Sequence, residues 1–170
     1  MSENITCVLN KMIAYETGCP HRVNHFLKVH SFARIIGEAE GLAPNEQYVL
    51  ELAAAMHDCG IMASLNKYGF YNGKLQEQEG PAVADLMMQE LDIGEAIRER
   101  VRFLIGHHHT YTDIVGIDYR ILVEADFLVN IYEDELAADA IASIKEKYFA
   151  TKKGREILSS LYQSTEETEK

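Results

Sequence analysis

The chain has 170 residues, of which 47% are hydrophobic and 25% charged, with a formal net charge of −11. That length suits one domain around one core. The acidic balance excludes the basic footprint that extended nucleic acid or an anionic membrane surface rewards, yet it leaves room for a small anion gripped by a metal ion or a few local cations. Helical periodicity runs through nearly the whole chain and alternating β-branched runs are missing, which predicts an all-α fold. The predicted helices cover 4–16, 20–40, 44–58, 79–91, 93–109, 118–132, 134–149 and 152–163. Gly18, Gly41, Gly60, Gly69, Gly80-Pro81 and Gly116 mark the breaks between them. Residues 60–78 read as the longest irregular stretch, of the kind that often lies over a functional site. The expected architecture is a single-domain helical bundle over 1–163, followed by a frayed tail over 164–170.

No basic segment followed by an apolar one opens the chain, and no apolar run approaches ~18 residues. Cys7, Cys19 and Cys59 are odd in number and form no C-x-x-C pair, so no disulfide framework is expected. These features suit a reduced, cytoplasmic protein without a membrane span.

Polar residues interrupt apolar stripes in a pattern that points to chemistry. The run Leu52-Ala53-Ala54-Ala55-Met56 is apolar all round its helix, which means burial, and it delivers His57 and Asp58 just before Gly60. In helix 20–40, His25 shares a face with Val29, Ala33 and Ile36. In helix 93–109, His108 continues the stripe of Ile97, Val101, Leu104 and Ile105, with His107 and His109 each rotated about 100° away. In helix 118–132, Asp126 shares a face with Leu122 and Val129. In helix 79–91, Glu79 shares one with Val83 and Leu86. A buried, unpaired carboxylate costs several kcal/mol, and no Lys or Arg lies obviously on these faces to neutralise it. Imidazole and carboxylate together suit a divalent transition ion such as Mn, Fe, Co, Ni or Zn.

Three segments, His25-Phe26-Leu27-Lys28-Val29-His30-Ser31-Phe32-Ala33, Leu52 to Gly60, and Glu124-Ala125-Asp126, resemble the HD-domain metal-dependent phosphohydrolase superfamily over about residues 20–130. The order of His, His-Asp and Asp is that of the family. The resemblance implies an HD-like all-α bundle, with His25, His57, Asp58 and Asp126 as the primary metal site. A subset of the family adds two histidines for a second ion. By this resemblance His108 fills one of those positions and Glu79 stands at the other, so one ion or two remain open, with Asp58 as the shared ligand.

The activity implied is hydrolysis of a phosphoester or phosphoanhydride on a nucleotide or another small phosphorylated substrate. Asp58 would position the attacking water, and His107 or His109 would protonate the leaving oxygen. Arg22, one turn from His25, is the best-placed phosphate grip, with Lys67 and Lys74 as further candidates. Alternatives are an HD-fold di-iron oxygenase and a non-catalytic ligand-sensing module. The acidic cluster Glu133-Asp134-Glu135 and the basic 145–155 stretch offer a homodimer contact.

Overall fold

The computed structural model describes residues 2–162; the tail expected over 164–170 lies outside them. The described residues form α1 (Ser2–Tyr15), α2 (Pro20–Glu40), α3 (Pro44–Met56), α4 (Gly60–Tyr68), α5 (Gly73–Gln89), α6 (Glu95–Ile105), α7 (Ile117–Glu133), α8 (Ala138–Tyr148) and α9 (Lys152–Tyr162), with no strand among them. Together they make one all-helical domain. None of the described helices is long and apolar enough to cross a membrane, and all three cysteines are free.

The apolar stripes converge as their spacing requires. Helix α2 lies against both α3 and α7, α3 also packs on α6, and α5 bridges α4 and α6. Phe26, Val29, Ala33 and Ile36 of α2 meet Leu50, Leu52, Ala53 and Met56 of α3 and Ile121, Leu122, Ala125 and Val129 of α7, all essentially buried. The small side chains of Ala53, Ala54 and Ala55 let α3 sit at the centre with neighbours on every side.

The stretch 60–78 corrects the expectation of an irregular region. It contains all of α4 and the first turns of α5, with a short break at 69–72. Asn72 caps α5 by accepting a hydrogen bond from the Leu75 N–H at 2.9 Å. Gly80-Pro81, expected to begin a helix, lies inside α5 instead. The two helices approach closely because Gly60 has no side chain. A Cβ there would stand 2.5 Å from the Gln76 carbonyl oxygen and 2.9 Å from the Gly80 nitrogen, both backbone atoms that cannot swing aside. Gly60→Ala is expected to lower stability by about 1–3 kcal/mol, as overpacked interiors do, read from denaturant melts. A wild-type midpoint in that variant would mean that the α4–α5 contact is looser than described.

Candidate metal centre

Two helix ends and two helix faces supply the cluster. His57 follows α3 directly, in the turn that leads to α4, and His108 sits in the turn after α6. The last carbonyls of a helix lack intrahelical donors, and both histidines use one. His57 Nδ1 donates to the Ala54 oxygen at 2.9 Å, and His108 Nδ1 donates to the Ile105 oxygen at 2.7 Å. A carbonyl oxygen only accepts, so each Nδ1 carries a hydrogen and each Nε2 is left facing inward, with a free lone pair whenever the ring is neutral. His25 behaves likewise from α2, its Nδ1 donating to Glu133 Oε2 at 2.8 Å. Asp126 arrives from α7.

These inward atoms are crowded together. His25 Nε2 lies 3.2 Å from His57 Nε2. Asp126 Oδ1 stands 3.3 Å from the first nitrogen and 3.6 Å from the second. Asp58 divides its two oxygens: Oδ2 is 3.5 Å from both of those nitrogens, and Oδ1 is 3.5 Å from His108 Nε2. Ligand atoms at 2.0–2.1 Å around a tetrahedral ion stand about 3.3 Å from one another, so the observed spacings fit a shared cation. The group His25, His57 and Asp58 could hold an ion, and so could Asp58, His108 and His109. His108 Nε2 gives an independent sign. It is buried without a hydrogen-bond partner, a condition that costs about 1–3 kcal/mol unless something satisfies it.

The electrostatics carry the same message. Two imidazole lone pairs cannot face each other at 3.2 Å without a positive charge between them. Burial opposes charge on His57, but Asp58 and Asp126 outweigh it and raise its pKa to about 9. Burial likewise opposes charge on Asp58 and Asp126, yet the surrounding histidines hold both well below the usual carboxylate range. The two carboxylates therefore favour a positive charge at this position, the condition that a bound metal ion would meet.

A cleft of about 180 Å³ opens onto this cluster, lined among others by Arg22, His25, Asp58, Gln76, His109 and Asp126. Arg22 is the one proposed phosphate cation that reaches it. Its Nε donates to the buried Glu16 at 2.5 Å and its Nη2 lies 3.1 Å from the Met62 sulfur, which fixes the guanidinium in place. Lys67 lies apart from the cleft, donating to Glu79 at 2.9 Å with its ammonium over the Tyr68 ring. Lys74 is exposed and does not line it.

Glu79 is not brought to the cluster. Its Oε1 accepts from Lys67, Tyr68 and Gln78 at 2.8–3.0 Å. Helix α5 begins near Gly73 rather than at Glu79, and its buried stripe is Gln76, Gly80, Ala84 and Met88. Leu86, expected inward beside Glu79, is 63% exposed. Gln76, which the sequence reading passed over, faces the site and lies 3.0 Å from His109 Nε2 through its Oε1. His107 also stays outside: its Nδ1 donates to the Phe103 oxygen at 2.7 Å and its ring stacks on Phe103. His109 lines the cleft, but burial and the neighbouring His108 lower its pKa to about 4. At neutral pH it is a hydrogen-bonding group rather than a stored proton. No protein-family model, curated protein or solved structure matches the chain.

Proposed function

We propose that the protein is an HD-type metal-dependent phosphohydrolase acting on a small phosphorylated substrate. The observation that carries this reading is the convergence of three Nε2 atoms, each ring oriented by a committed Nδ1, on the Asp58 carboxylate beside Asp126. A divalent transition ion held by His25, His57, Asp58 and Asp126 would polarise a phosphoryl oxygen and bring the pKa of water toward neutrality. The chain's own groups then place the substrate. Arg22, steadied by Glu16, offers its remaining N–H groups to phosphoryl oxygens. Gln76 and His109 also line the cleft and supply neutral hydrogen bonds. A volume near 180 Å³ falls below the ~300–1,000 Å³ of whole-ligand pockets, so the cleft takes the reacting end and the rest of the substrate extends past its rim.

The second reading, a di-iron oxygenase, draws on the second donor group of Asp58, His108 and His109, which shares Asp58 with the first. One experiment separates the two. Protein stripped of metal and reloaded with manganese, iron, cobalt, nickel or zinc is assayed for phosphate release from nucleotides and phosphoesters, with Asp58→Ala alongside. Metal-dependent release that disappears in the variant is the expected result. Tight metal binding with no release from any compound would overturn the hydrolase, and oxygen-dependent substrate loss with two irons bound would establish the oxygenase.

A further inference from the structure

Asp126 and Glu133 stand seven residues apart on α7, two helical turns, and therefore share a face. His21, His25 and Lys28 form a matching stripe on α2, the helix packed against it. The outcome is a three-part chain of contacts: Glu133 Oε2 accepts from His25 Nδ1 at 2.8 Å, and Glu133 Oε1 accepts from Lys28 Nζ at 2.5 Å. The Glu133 side chain is 10% exposed. His21, on the exposed rim, approaches the same carboxylate only to 3.7 Å.

We infer that Glu133 is a positioning residue for the metal centre, orienting His25 and strengthening its Nε2 as a donor, while Lys28 anchors the second carboxylate oxygen. This rests on the metal reading of the site. Of the three inward imidazoles, His57 and His108 have their Nδ1 atoms fixed by backbone carbonyls, and His25 alone depends on a side chain. An anionic partner makes an imidazole a better ligand than a carbonyl does, because its charge favours electron density at the opposite nitrogen. Helix α7 thus supplies the cluster twice, directly with Asp126 and through His25 with Glu133. The competing account is that Glu133 only ties α7 to α2 as an ion pair with Lys28.

Cobalt(II) affinity, measured by chelator competition, distinguishes the accounts in wild type, Glu133→Gln, Glu133→Ala, Lys28→Met and His21→Ala. Glu133→Ala is expected to bind cobalt about 10–100-fold more weakly, the usual cost of losing such a partner. Glu133→Gln should fall between it and wild type, since an amide oxygen still accepts from Nδ1 but without charge. It also keeps the test open should the alanine variant fail to fold. His21→Ala should match wild type, and Lys28→Met should weaken binding less than either Glu133 variant. The visible absorption of bound cobalt should shift in the Glu133 variants alone. Wild-type affinity in Glu133→Ala, or an equal loss in Lys28→Met, would overturn the inference while leaving the metal site standing. Failure of wild type to bind cobalt would overturn both.

Discussion

Metal affinity is expected to rise steeply with pH, about tenfold per unit between pH 7 and about 9, because the ion must displace the His57 proton. The sign follows from the cluster. The pKa of His57 is raised by Asp58 and Asp126 against the opposing effect of burial, so the metal-free fold binds this proton more tightly than the unfolded chain does. Its stabilising contribution is complete below the ordinary imidazole value of 6.5 and is lost as the pH climbs through about 9. A metal ion held at the same position would reverse that dependence. Asp58 and Asp126 stay ionised throughout, since the histidines hold them well below the usual carboxylate range. Chelator competition from pH 6.5 to 9.5 measures the slope, and calorimetry in buffers of different ionisation heat counts the protons released. An affinity flat across this range would show that no proton stands where the ion binds.

Glu124→Ala is expected to cost about 2–6 kcal/mol, since it strips acceptors from the Thr151 N–H and hydroxyl in a buried setting at about 1–3 kcal/mol each. Glu124 is fully buried on α7, and its carboxylate closes the start of α9 by accepting from the Ala150 and Thr151 N–H groups at 2.7 and 2.9 Å and from the Thr151 hydroxyl. Burial pushes its pKa up, although the Thr151 and backbone donors pull against this. Its folded-state pKa therefore exceeds the unfolded one, and its contribution to stability falls as pH rises between them. Glu124→Gln retains the acceptor and discards the charge, so at pH 7 it should lie within about 1 kcal/mol of wild type or above it. Gly154 makes the arrangement possible: a Cβ there would stand 2.0 Å from Glu124 Oε2. Gly154→Ala should therefore destabilise the wild type more than it destabilises Glu124→Ala, where only the Thr151 Oγ1 contact at 2.7 Å remains, a non-additivity expected where two residues share one contact. Urea melts of the two single variants and the double variant supply the cycle, and full additivity would separate the two sites.

Where a helical stripe was long, the sequence placed its polar member well. His25 lies buried with Val29, Ala33 and Ile36, and His108 with Val101, Leu104 and Ile105, although α6 ends three residues before His108. His108 keeps to the same face beyond that ending because it bonds back to Ile105. Glu79 departs from its stripe for a local reason. Gly80-Pro81 carries the signal of a helix start, and that signal hid the two turns of α5 that precede it and bring Gln76 inward. Glu133 was illegible for another reason: within an acidic run it looks like a solvated face. Its partners His25 and Lys28 lie more than a hundred residues earlier, on a helix whose approach only the fold reveals.

The backbone grip on His57 and His108 has a consequence for how the centre can change. A hydrogen bond to the main chain survives any substitution at its acceptor, because every residue type brings the same carbonyl. Replacements at Ala54 or Ile105 can alter packing but cannot remove the Nδ1 partner of either ring. On the proposed metal reading, variation in the strength of the centre is thereby channelled into the side chains around His25, so homologous chains of different metal preference should differ around α2 and the end of α7 while keeping the two helix ends alike.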